Sequence, residues 1–221
     1  MLRALGGEFL GSALLCAVVI GSGIAGASLS PDDVGLQLFE NAFATALGLG
    51  VLIVVLAPVS GAHFNPVVTL VDAALHGARP IAVATYLPVQ IAGCIAGALL
   101  ANAMFGLPTE WGTNDRVSGP HLLAEVVATA GLVLVIFALV RSGRSHLAAP
   151  AVGAYIGAAY FFTSSTSFAN PAITVGRAFS DTFAGIAPVA VLPFIGAQLI
   201  GGVLGWLVVR LLYPHPMPAV E

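Results

Sequence analysis

Gly61-Ala62-His63-Phe64-Asn65-Pro66-Val67-Val68-Thr69 lies in the first half of the chain, and Ser167-Phe168-Ala169-Asn170-Pro171-Ala172 answers it in the second. Each Asn-Pro pair follows a long apolar segment and opens a stretch too short to cross a bilayer. Asn is a favoured helix N-cap, and Pro at the first helical position gives up only an N–H that has no partner there anyway. Two half-helices in an inverted repeat would set two positive dipole ends at mid-membrane. Such an arrangement suits a pore that passes neutral molecules and repels cations.

Composition places the chain in a membrane. Hydrophobic residues make up 58% and charged residues 8%, with a mean hydropathy of +1.01. A soluble domain carries about 25% charged residues, so this chain lacks the polar surface to face water all round. The basic residues are seven arginines and the formal net charge is -3, which argues against nucleic acid as a partner. Cys16 and Cys94 both fall in apolar segments and read as small core residues in preference to a disulfide or a metal site. Arg3 followed by the apolar run from Phe9 to Ile24 has the look of a signal peptide. Glu8 and Glu125, however, open corresponding segments of the two halves, so the run is expected to belong to the fold.

Six spans are expected, at about residues 7–28, 36–57, 82–104, 121–141, 147–165 and 187–212. Most reach the ~20 residues that ~30 Å of hydrocarbon demands, and the fifth is near the lower limit. Two short segments, 65–76 and 170–179, reach about half-way at ~1.5 Å per residue. Non-helical backbone at that depth is tolerated only inside protein or along a water-filled cavity. With the N-terminus cytoplasmic, Arg3, Arg79, Arg141, Arg144 and Arg210 fall inside, and only Arg116 and Arg177 fall outside. Both termini are then cytoplasmic. Asp32, Asp33, Glu110, Asp115 and Asp181 fall outside too, but acids say little about topology.

The repeat extends beyond the two boxes. Glu8 matches Glu125. Gln90 precedes Gly93 and Gly97 with the spacing by which Gln198 precedes Gly201 and Gly205, and small residues four apart let helix backbones approach closely. Three spans is an odd number, so the second half must enter the membrane upside down, which puts the solute path at the midplane. One channel domain is expected over residues 1–221, with repeat 1 at about 1–110 and repeat 2 at about 118–215.

On these residues the chain resembles the major intrinsic protein family, the aquaporins and aquaglyceroporins, over its whole length. The resemblance implies an all-α membrane protein with six transmembrane helices plus two half-helices, a cell-membrane location and a homotetramer with one pore per subunit. It implies no cofactor and no metal. Asn65, Pro66 and Val67 form one box, and Asn170, Pro171 and Ala172 the other. Each Asn is expected to turn an amide N–H toward the lumen, with its side-chain oxygen held by nearby backbone; the plainer alternative is that both are N-caps and nothing more. The positive half-helix ends would raise the cation barrier described for aquaporin pores. Glu8 and Glu125 are functional candidates as ionisable residues near spans. They are expected to accept hydrogen bonds from the loops that carry the boxes, with a proton relay as the rival reading.

The chain departs from the family pattern in two ways. Val67 replaces the usual Ala and calls for slight repacking. Ile173 stands where most members place an arginine, so the constriction is expected to be more apolar and wider. The aromatic filter position falls at Leu47, or at Thr45 if no gap is allowed. The fifth-span position is Tyr160 or Ala158, and the remaining one is Ser167. Arg177 lies four residues after Ile173, on the same helical face. It either supplies a substitute cation at the outer mouth or pairs with Asp181 at the surface. His63 is expected to line the pore from the cytoplasmic loop. The hydroxyl run from Thr163 to Ser167 lines the vestibule or satisfies loop backbone.

The leading expectation is a passive channel for small uncharged solutes: glycerol-like polyols, neutral metalloid hydroxides such as arsenite, and water. The alternative is mainly a water channel with an atypical filter. An ion-coupled transporter would need several intramembrane charges, and only Glu8 and Glu125 stand near spans. An enzyme is set aside, because His63, His76, His121, His146 and His215 are scattered without ligand or catalytic spacing.

Overall fold

The computed structural model describes residues 1–77 and 80–214. Arg79 and His215, which entered the sequence argument, lie outside the described residues. The described residues form eight α-helices and no strand: α1 (Leu2–Leu29), α2 (Val34–Ser60), α3 (Pro66–His76), α4 (Pro80–Met104), α5 (Gly119–Arg141), α6 (Ala148–Phe162), α7 (Pro171–Arg177) and α8 (Pro188–Leu212). Five of these, α1, α2, α4, α5 and α8, are long and apolar enough to cross a membrane. The two half-helices are α3 and α7.

The fifth span is shorter than the expected 147–165. α6 has 15 residues, about 22 Å at the α-helical rise, with a 3-10 turn over Ser145–Leu147 leading into it. Its end is decided by the hydroxyl run. Thr163 turns extended, its Oγ1 donates to the Ala159 carbonyl at 2.6 Å, and the chain then runs non-helically to the second box. The second half-helix likewise stops at Arg177 rather than 179.

Packing repeats across the two halves. α1 packs on α2 and α4, and α5 packs on α6 and α8. The contacts depend on the glycines with matched spacing. A Cβ at Gly93 would lie 2.5 Å from the Phe9 carbonyl, and one at Gly201 would lie 2.5 Å from the Val126 carbonyl. The close approach lets each pair gain dispersion contacts that an all-lipid surface would not supply. The halves interlock, because α3 packs on α8 as well as α4, and α7 on α4 as well as α8. The α2–α6 contact closes the structure between the halves. α1 runs through the protein, with 61% of its span buried against 17% for α2. Phe39, Phe43, Val51, Val54 and Val55 of α2 stay exposed, an apolar surface that water would penalise and hydrocarbon does not.

Candidate functional site

The two boxes are capped helix starts that face each other. Asn65 has extended backbone, and its Oδ1 accepts from Val67 N at 2.9 Å. Asn170 does the same for Ala172 N at 2.9 Å and Ile173 N at 3.3 Å. Each amide also reaches into the other half. Asn65 Nδ2 donates to the Ala169 carbonyl at 2.8 Å, and Asn170 Nδ2 donates to the Phe64 carbonyl at 2.8 Å. A carboxamide nitrogen carries two hydrogens. Both asparagines line one cavity of about 560 Å³, so the second hydrogen of each is available to a molecule inside it.

The loops before the boxes are strained and are held by buried carboxylates. Ala62 and Phe64 in the first loop, and Ser167 and Ala169 in the second, have φ between 47° and 52°, a left-handed region that costs non-glycine residues about 1–3 kcal/mol each. The alternation turns successive N–H groups to one side. Glu8 accepts from His63 N at 3.0 Å, Phe64 N at 2.8 Å and Gln90 Nε2 at 2.7 Å. Glu125 accepts from Phe168 N and Ala169 N at 2.9 Å, Gln198 Nε2 at 2.6 Å and Ser165 Oγ at 2.6 Å. Both carboxylates are fully buried, and donors to their oxygens replace the water they lose. Thr69 and Thr174, each four residues after its box Asn, extend the two networks to Gln90 and Gln198 at 2.9 Å. Sequence reasoning missed these threonines, although their matched offset is visible in the chain.

The unusual Val67 has a structural counterpart. A Cβ on Gly202 of α8 would sit 2.5 Å from Val67 Cγ1. The repeat-equivalent position on α4 is Cys94, and the equivalent box residue there is the smaller Ala172. Volume is traded between box and helix.

The cavity runs from Asp72, Ser145 and His146 at one end, past both asparagines, to Tyr160, Ile173 and Arg177 at the other. His63 lines it as well, and its Nδ1 lies 3.1 Å from Thr69 Oγ1. The filter register differs from the Leu47 expectation. Leu47 is 57% exposed on the outer face of α2, whereas Thr45 is buried, lines the cavity and lies 3.3 Å from Tyr160 Oη through its Oγ1. Residues two apart on a helix point about 200° away from each other, so one must face out when the other faces in. For the same reason Tyr160 faces the cavity and Ala158 is exposed. Ser167 and Ile173 also line it, and Ser167 Oγ is buried with no partner among the described residues.

Arg177 makes no ion pair with Asp181 among the described residues. Asp181 accepts from Thr113 N at 2.9 Å and Thr113 Oγ1 at 2.8 Å, and Arg177 is 2% exposed against the lumen.

Fold and site define a polytopic helical membrane protein whose two broken-helix halves meet at a shared cavity. The family profile described as "Major intrinsic protein" matches residues 1–169. Aquaglyceroporin AqpS of Rhizobium meliloti is 44% identical over 216 residues, covering 97% of this chain and 91% of the relative. Aquaporin Z of Rhodopseudomonas palustris is 31% identical over 233 residues, covering 97% and 95%. The solved aquaglyceroporin of Plasmodium falciparum superposes with a TM-score of 0.77 at 20% identity, over 96% of this chain and 97% of that one. The chain belongs to the major intrinsic protein family.

Proposed function

We propose that the protein is a passive transmembrane channel for small uncharged solutes, namely glycerol-like polyols, neutral metalloid hydroxides such as arsenite, and water. The observation that carries this reading is the reciprocal pair of bonds from Asn65 to Ala169 and from Asn170 to Phe64. They fix two amide donors on one lumen, where a passing hydroxyl can exchange water for protein without a large barrier. Relatives named as an aquaglyceroporin and as aquaporin Z support the same solute class. Metalloid hydroxides enter the proposal by their chemistry, as small neutral polyhydroxyl molecules of similar size.

The reading extends to a single channel domain over 1–221 with both termini cytoplasmic, in the cell membrane, assembled as a homotetramer as the family resemblance implies. Stopped-flow light scattering on proteoliposomes with water, glycerol and arsenite gradients, run with and without a proton gradient, tests it. Flux proportional to the solute gradient alone is expected. Flux that needs the proton gradient would replace the channel by a coupled transporter.

A further inference from the structure

The family's filter arginine is absent, yet a guanidinium still reaches the lumen. Arg177 ends α7, one turn beyond Ile173. An arginine at a helix end ordinarily extends into water; this one is drawn inward. Its Nε donates to the Ala184 carbonyl, and its Cζ stacks 3.4 Å from the centroid of Phe168, which also lines the cavity. Neither Nη nitrogen makes a hydrogen bond among the described residues, so the fork's four remaining N–H groups are left for a molecule in the lumen. Among the described residues no carboxylate forms an ion pair with it; Glu125, whose oxygens are taken up by N–H and O–H donors, acts on it only through space.

A second arginine builds the seat. Arg116 donates from Nε to the Gly185 carbonyl at 2.9 Å and from Nη2 to the Phe183 carbonyl at 3.0 Å. Two guanidiniums thus hold three consecutive carbonyls, 183 to 185. Arg116 Cζ also lies 5.4 Å from the same Phe168 ring. The turn has no slack. Gly185 N donates to the Thr182 carbonyl at 2.8 Å, and Ile186 N donates back to Arg177's own carbonyl at 3.3 Å. A side chain at Gly185 would run into the Ser180 carbonyl.

We propose that Arg177 is the selectivity-determining cation of this pore, displaced one turn from the usual filter position, and that Arg116 is the residue that positions it. The inference rests on the channel reading above. A fixed cation with no direct ion-pair partner in a narrow low-dielectric lumen repels other cations. Its planar fork also narrows the passage beside Ile173, which hinders a polyol more than water.

The test uses proteoliposomes of the full chain with Arg177→Gln, Arg177→Lys and Arg116→Gln. The readouts are the glycerol-to-water permeability ratio and ammonium entry followed by an entrapped pH dye. Arg177→Gln is expected to raise both by about tenfold, about 1.4 kcal/mol of barrier. Arg177→Lys should keep ammonium out but lose the solute ratio, because an ammonium group lacks the stacked fork. Arg116→Gln should move the ratio in the same direction by less, which a merely structural defect would not do at equal amounts of inserted protein. An unchanged ratio and ammonium entry in Arg177→Gln, or a wild-type ratio in Arg177→Lys should the first variant not insert, overturns the proposal. Failure of the channel reading looks different, because the unmodified protein would then show no flux driven by the solute gradient alone.

Discussion

Val67 and Gly202 share one volume. The valine's Cγ1 occupies the space that a Cβ on the glycine would need, at 2.5 Å, and this joins the first box to α8 of the other half. Gly202→Ala should therefore destabilise the protein by about 1–3 kcal/mol through overpacking. Val67→Ala alone should leave a small cavity, and the double variant should recover most of both losses. Thermal unfolding in detergent measures the cycle; strictly additive Tm changes would mean the two positions do not share that space.

Asn170 both caps α7 and anchors the facing loop, and a single variant separates the two roles. Asp caps a helix about as well as Asn, but Asn170→Asp sets an oxygen against the Phe64 carbonyl where a donor stood. Solute flux is expected to fall steeply although α7 remains capped. Wild-type flux in this variant would reduce Asn170 to a cap.

Glu125 uses both oxygens twice, whereas Glu8 has one oxygen with a single donor. An amide at either position turns one acceptor into a donor that faces another donor. Glu125→Gln should cost about 1–3 kcal/mol of stability, and Glu8→Gln less. Equal Tm losses, or a larger one at Glu8, would contradict this ordering.

Thr45 and Leu47 make a paired test of the filter register. Thr45→Ala removes the hydroxyl beside Tyr160 Oη and should alter the glycerol-to-water ratio. Leu47→Ala trims a side chain on the outer face and should leave the ratio where it was. Permeability assays showing the opposite pattern would restore Leu47 to the lumen.

The elements were legible because their signals are local. Span length, the Asn-Pro starts and the Gln–Gly–Gly spacing each lie within one helix, and the structure forms those helices close to the expected bounds. The fifth span is expected to run on to 165 because Thr163, Ser164 and Ser165 carry no charge to mark its end, whereas the helix is ended by Thr163 turning extended and by loop N–H groups that turn to Glu125. Leu47 was favoured over Thr45 because gap placement in an alignment says nothing about the rotation of a helix about its axis.

By itself, the sequence determined the membrane class, the inverted repeat and the two capped half-helices, since hydrophobic length and capping chemistry act over a few neighbouring residues. Tertiary structure alone decided which face of α2 lines the lumen and that Arg177 turns inward onto Phe168, with Arg116 holding the turn behind it. The physical reason is that lipid and protein interior are both apolar. A helix in this environment carries little periodic contrast to reveal its inner face, and the partners of a buried guanidinium come from loops far apart in the chain.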